Sequence, residues 1–268
     1  MLVDFIIGLG LSLIIAYIAY TKESLNFSGF LGAVIFGTML YFFGTFIVWS
    51  ALIVFFISSS ILTKLHEKTD KNYSQGRGIK SVISNALIAT ICSILYYFIQ
   101  EPLYLVASIA SIAASNADTW ASEIGILSKG KTYYITNFKI APKGVSGAIS
   151  LLGILSSLLG ALFISITFVL LYRMVTPLTI NNMLSYGFIV TLSGFLGCQI
   201  DSLLGALVQA KYKNIQTGMI AESKELPDES IVLISGFSFI TNDVVNLLSS
   251  LGGSLIAIIL IIGGIYAS

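Results

Sequence analysis

Between Leu2 and Tyr20 the chain carries one charged residue, Asp4, and apolar runs of similar length recur to its end. A helix needs about 20 predominantly apolar residues to cross a hydrocarbon layer, and in lipid only helices and closed barrels satisfy their own backbone. Further runs fall at Gly29–Phe43, Thr45–Thr63, Ser81–Ile99, Leu103–Ser122, Val145–Tyr172, Leu184–Ala210 and Ile231–Ala267. The alternating strand pattern of a membrane barrel is absent. The expected fold is all-α, a polytopic transmembrane helix bundle of about eight or nine spans. The last run is too long for one upright span, and a break near Gly252-Gly253 would divide it into two segments or a helix and a half-helix.

Composition agrees. Charged residues make up 10% of the chain, against about 25% in soluble domains, and mean hydropathy is +0.93. A single membrane domain over 1–268 is expected, with peripheral N-terminal helices in 1–80 and a catalytic bundle in 81–268. The first run lacks a basic flank and a small-residue cleavage signature, so it reads as a retained helix. A net charge of +1 argues against a nucleic-acid partner.

The loops set the orientation. Lys22, Lys64, Lys68, Lys71, Arg77, Lys80, Lys129, Lys131, Lys139, Lys143, Lys211, Lys213 and Lys224 all fall on one side of the expected bundle, and only Arg173 falls on the other. The positive-inside rule places the basic side in the cytoplasm of a cell-membrane protein and the N-terminus outside.

Cys92 and Cys198 lie within apolar runs and read as small buried residues, not a disulfide framework. His66, the single histidine, lies in a charged loop. No zinc spacing, Ser-His-Asp set, Walker A motif or protein-kinase signature can be assembled.

Against this background the acids stand out. An ionisable residue at the centre of a spanning helix costs about 2.5–3.5 kcal/mol on insertion scales, and such residues mark functional sites by default. Asp118, Glu123, Asp201 and Asp243 all sit in or at the end of apolar runs. Helical spacing groups Ser108, Ser111, Ser115, Asp118 and Ser122 in one polar stripe, and Asn116, Thr119 and Glu123 in a second. Small polar residues also serve as glue between helices, which explains serines better than carboxylates. Gly194, Gly197, Asp201 and Gly205 share another face, where a backbone or a ligand can approach closely. Asn242, Asn246 and Ser249 share a face beside Asp243, although Asn-Asp can also cap a helix. The order amide, apolar, Asp, hydroxyl occurs twice, as Asn116-Ala117-Asp118-Thr119 and Gln199-Ile200-Asp201-Ser202. A duplicated helix pair meeting across a site would produce it.

Carboxylates and amides near a basic membrane face suit Mg²⁺, which takes oxygen ligands and commonly bridges to substrate phosphates. The loop carrying Lys129, Lys131, Lys139 and Lys143 leads into Gly144-Val145-Ser146-Gly147, expected to open the next helix and offer backbone N–H groups to phosphate. Phosphoryl transfer needs both halves, because its catalysis is mostly positioning and charge stabilisation.

The run Asn116-Ala117-Asp118-Thr119-Trp120-Ala121-Ser122-Glu123-Ile124-Gly125, then Pro142-Lys143-Gly144-Val145-Ser146-Gly147-Ala148-Ile149-Ser150-Leu151-Leu152-Gly153, then Asp201-Ser202-Leu203-Leu204-Gly205-Ala206 with Gln209, resembles three blocks of one integral-membrane family. That family contains plant and cyanobacterial phytyl-phosphate kinase. Asp118, Ala121 and Gly125 are more distantly similar to the Asp-x-x-Ala-x-x-x-Gly core of phytol and dolichol kinases. The resemblance implies transfer from a nucleoside triphosphate, typically CTP, to an isoprenyl monophosphate, with Mg²⁺ as cofactor. It carries over Asn116, Asp118, Glu123 and Asp201. The expected metal ligands are Asp118, Glu123, Asp201 and Asp243; the expected nucleotide or phosphate contacts are Asn116, Ser122, Lys139, Lys143, Gly144, Ser146, Gly147 and Asn242. Asp118, Glu123, Asp201 and Lys143 would form the catalytic set. Where the family often has threonine after the second-block glycine, this chain has Val145. The acceptor is already a phosphate, so no general base is required. The rival expectation is an ion-coupled transporter with an intramembrane acidic site, reached from both sides. Oligomeric state is left open by the sequence.

Overall fold

The computed structural model describes residues 1–67, 76–215, 220–221 and 231–267. Its helices are α1 (Leu2–Thr21), α2 (Phe27–Glu67), α3 (Ile79–Ile99), α4 (Pro102–Gly125), α5 (Leu151–Val175), α6 (Ile180–Leu207) and α7 (Asn242–Ala267). Six of them, all but α4, are long and apolar enough to cross a membrane. The exception is the central helix. From Leu105 to Ala117 every residue of α4 is buried, and it packs against α2, α3, α5, α6 and α7. Its serines face protein and not lipid, which lowers its hydropathy without excluding it from the bundle.

Small residues permit this crowding. A Cβ on Gly194 or Gly197 of α6 would stand 2.7 or 2.6 Å from the Ala113 or Ala114 Cβ. The glycine face of α6 therefore admits another backbone. The outer helices carry the opposite pattern: Ile6, Ile14 and Ile18 on α1, and Leu151, Leu155 and Leu159 on α5, are all exposed. Apolar side chains facing outward are what lipid requires of such a bundle.

Helix α2, at 41 residues, is a hairpin. At Thr45 the backbone leaves helical geometry with φ 65° and ψ 175°, a strained setting for a β-branched residue. The Tyr41 and Trp49 rings then meet 5.9 Å apart, and Trp49 Nε1 donates to Ser12 Oγ on α1 (3.1 Å). At the far end Lys64 Nζ donates to the Lys22 carbonyl (2.6 Å). Residues 27–44 and 46–67 thus lie as two antiparallel helical arms, which gives eight helical segments among the described residues.

Two expectations are corrected. The run Ile231–Ala267 is not two spans broken at Gly252-Gly253: Ile231–Ser235 is a strand, and α7 continues through both glycines, where a Cβ on Gly253 would meet the Ala114 Cβ at 3.1 Å. Gly253 is there for close approach to α4, and Gly252 for close approach to Ile200 of α6. Likewise Val145–Ile149 does not belong to a span. It lies among three short antiparallel strands, β1 (Thr132–Tyr134), β2 (Ile140–Ala141) and β3 (Ala148–Ile149), ordered β2-β1-β3. A second such sheet joins β4 (Lys211–Asn214), β5 (Ile220–Ala221) and β6 (Ile231–Ser235) in the order β5-β4-β6. Runs of so few residues between helices carry no pattern that separates strand from loop.

Both sheets lie at the basic end, where Lys22, Lys64, Arg77, Lys80, Lys129, Lys131, Lys139, Lys143, Lys211 and Lys213 gather; Arg173 lies at the other. Lys68, Lys71, Lys224 and the side chain of His66 lie outside the described residues. The expected division at residue 80 crosses dense packing, since α2 contacts α3, α4 and α5.

Candidate active site

A cavity of about 800 Å³ opens at the basic end of the bundle. The C-terminal parts of α4 and α6 supply its acids, Asp118 and Asp201. On α4 the lining residues are Asp118, Ala121, Ser122 and Gly125, one helical face at steps of three and four. On α6 they are Cys198, Gln199, Asp201 and Ser202. Cys198 is buried within electrostatic reach of both carboxylates, and Ser157 of α5 pairs with it. The two acids expected from a duplicated pattern therefore do converge on one place.

Asp201 is 8% exposed. Asn246 of α7, with its amide nitrogen turned inward, donates to Asp201 Oδ2 over 3.1 Å and to the Asn242 carbonyl over 3.2 Å. One turn of α7 thus holds the α6 carboxylate while Thr241, Asn242 and Asp243 line the cavity above it. Asp243 lies within electrostatic reach of Lys80 at the start of α3, which also lines the cavity.

The loop after α4 forms the roof. Lys143, Gly144, Val145, Ser146 and Gly147 all line the cavity. Lys143 Nζ donates to the Ser128 carbonyl. The turn is pinned onto α6: Gly147 has φ +82°, and a Cβ there would stand 2.4 Å from the Ala206 Cβ. Lys211 Nζ donates to the Ser146 carbonyl (3.0 Å) and stands 5.9 Å above the Tyr134 ring. The glycine turn does not open α5, as its sequence suggested. Strand β3 follows it, and Ser150 caps the helix, its Oγ accepting from Gly153 N (3.0 Å) and donating to the Gly125 carbonyl (3.3 Å). The α5 entrance is satisfied by its own cap.

Three expected site residues lie elsewhere. Asn116 is fully buried; its Nδ2 donates to the Gly160 carbonyl (2.7 Å) and its Oδ1 accepts from Ser58 Oγ (2.9 Å). It clamps α5 and α2 to α4. Glu123 faces α2, where Thr63 Oγ1 donates to Glu123 Oε1 over 2.6 Å and Arg77 Nη2 donates to Thr63 Oγ1 over 3.3 Å. Burial lowers the Arg77 pKa, and the Glu123 charge opposes that shift. Lys139 is exposed beyond the β1–β2 turn and does not line the cavity. The second polar stripe of α4 thus builds the bundle, and the first reaches the cavity.

Among the described residues no three acids, cysteines or histidines converge as a cage for a metal ion. Asp118 and Asp201, with Gln199, Ser157 and Ser202 oxygens nearby, suit an ion that brings phosphate oxygens with it. Lys80, Thr132, Ser150, Gln199, Ser202, Thr241 and Asn246 join or support the site without having been expected there. Gln199 and Ser202 were visible in the repeated pattern; Thr132 comes from β1 and carried no signal.

The sequence profile described as "Integral membrane protein DUF92" matches residues 10–254. The chain is 28% identical over 265 residues to Protein PGR of Arabidopsis thaliana, covering 90% of each. It is 32% identical over 201 residues to an uncharacterised membrane protein of Methanocaldococcus jannaschii, covering 74% of this chain and 80% of that one. With the chloroplastic Protein VTE6 of Arabidopsis thaliana it shares 27% identity over 189 residues, 69% of this chain and 47% of that protein. No solved structure is significantly similar.

Proposed function

We propose that this chain, which belongs to the integral-membrane DUF92 family, is a prenyl-phosphate kinase working at the cytoplasmic face of the cell membrane. The observation that carries this reading is the meeting of Asp118 and Asp201, from two helices, beneath Lys143 and the Gly144–Gly147 turn in one open cavity. Acids below and a lysine-glycine turn above are the two halves that phosphoryl transfer requires. The resemblance of the three sequence blocks to phytyl-phosphate kinases supplies the acceptor class.

In this reading a nucleoside triphosphate, CTP by the resemblance, lays its phosphates under the turn. Lys143 and the turn hold them and offset their charge. Asp118 and Asp201 would hold Mg²⁺, which when bound neutralises phosphate charge and polarises the transferring phosphorus. A phosphate oxygen of the isoprenyl monophosphate attacks the γ-phosphorus. The bond from that phosphorus to the β–γ bridging oxygen breaks, and the nucleoside diphosphate leaves with the electron pair. The product is the isoprenyl diphosphate. The attacking oxygen is already anionic, so no histidine is required as a base. The basic end of the bundle faces the cytoplasm and the N-terminus lies outside, as the loop charges direct.

Purified protein is to be offered radiolabelled CTP or ATP with a panel of isoprenyl monophosphates, with and without Mg²⁺. Label is expected in an isoprenyl diphosphate, in the Mg²⁺ samples alone. Absence of labelled diphosphate with every acceptor would refute the reading.

A further inference from the structure

A bisubstrate phosphotransferase must hold two phosphorylated molecules, and the cavity has two separate cationic walls. One is the Lys143 turn. The other is Lys80, in the first turn of α3, on a wall shared with Thr241 and, at the start of α7, Asn242 and Asp243. We propose that Lys80 binds the phosphate of the lipid acceptor and so separates acceptor from donor within the cavity. This inference rests on the kinase reading for its substrate class.

The surroundings of the two lysines decide which takes which. Lys143 sits in the loop between β2 and β3, outside the helices, on a cavity wall shared with Thr132 and Ser146. Those surroundings suit a wholly polar ligand. Lys80 sits on a spanning helix. Its neighbour Ser81, with Arg77, Val82, Asn85 and Ala86, lines a second, apolar cavity of about 70 Å³ shared with α1 and both arms of α2, including Ala16, Leu25 and Phe36. Lys80 thus stands where a spanning helix reaches the basic end and faces the main cavity, while Ser81, about 100° further round α3, faces the apolar space. An isoprenyl phosphate carries its charge at such a boundary between hydrocarbon and water; a nucleotide has no hydrocarbon part to place there. Arg77 is not the competing cation, because Thr63 and Glu123 already engage it.

Asp243 faces the same cavity within electrostatic reach of Lys80, so the wall carries an acid as well as a cation.

The test measures the two ligands separately. Binding of radiolabelled phytyl phosphate to detergent-purified protein is recorded without nucleotide, for wild type, Lys80→Met and Lys80→Arg. Loss of a charge-assisted phosphate contact is expected to weaken binding about 10- to 100-fold in Lys80→Met, with partial recovery in Lys80→Arg. In turnover, KM for phytyl phosphate rises in step while KM for CTP stays within about twofold of wild type. Equal phytyl-phosphate binding by wild type and Lys80→Met overturns the assignment and leaves the kinase reading intact, as does a rise confined to the CTP KM. Wild type that binds phytyl phosphate through Lys80 but transfers to no isoprenyl monophosphate of the panel would sink the kinase reading alone. Wild type that does neither sinks both.

Discussion

Thr63 Oγ1 donates to Glu123 Oε1 over 2.6 Å and so fastens the second arm of α2 to the last turn of α4. Asp118 is five residues back along the same helix, which at about 100° per residue turns it about 140° from Glu123. Two acids expected together among the metal ligands therefore have different tasks.

That separation predicts opposite phenotypes. Glu123→Ala leaves partly buried Arg77 without its compensating charge and is expected to cost about 1–3 kcal/mol of stability. Thermal unfolding in detergent should show the loss, with the KM for CTP unchanged. A Glu123→Ala protein of normal stability and altered nucleotide KM would put Glu123 back in the site.

Asp118→Asn and Asp201→Asn should do the reverse. Each keeps shape and removes charge from the cavity floor, and transfer is expected to fall by about 10²–10³-fold or more while the melting temperature holds. Chelation of divalent ions should abolish wild-type transfer, and added Mg²⁺ should restore it.

Asn116 behaves as a clamp. Replacing it by alanine removes its bonds to the Gly160 carbonyl and the Ser58 hydroxyl, at about 0.5–1.5 kcal/mol each, since Ser58 Oγ keeps its bond to the Phe55 carbonyl. Unfolding temperature and expression should fall, and the residual folded enzyme should keep its nucleotide KM.

The two left-handed glycines of the turn should rank clearly. Gly144→Ala keeps open space, with its nearest neighbour at 3.7 Å, and costs about 1–2 kcal/mol for the conformation alone. Gly147→Ala adds a Cβ at 2.4 Å from Ala206 and must displace the turn from α6, so overpacking adds about 1–3 kcal/mol. A CTP KM raised more by Gly147→Ala than by Gly144→Ala is the expected kinetic result.

Labelling separates enzyme from carrier. In a background with Cys92 and Cys198 replaced by alanine, Ser122→Cys on the cavity wall should react with an impermeant maleimide from the cytoplasmic side only, and CTP should protect it. Reaction from both sides would favour a transport pathway.

The amino-acid sequence alone settled the membrane character, the approximate passages, the clustering of basic residues at one end, and the helical stripes of α4. Each depends on local period or composition, which a sequence displays directly. It also brought Asp118 and Asp201 together through the repeated amide-x-acid-hydroxyl order. What it could not settle was which partner each stripe meets. That required α2 to fold back at Thr45, so that Ser58 and Thr63 claim Asn116 and Glu123, and it required the start of α7 to pack beside α6, so that Asn246 reaches Asp201. The facing of a polar side chain depends on which helix packs beside it, and that is decided by contacts between residues far apart in the chain.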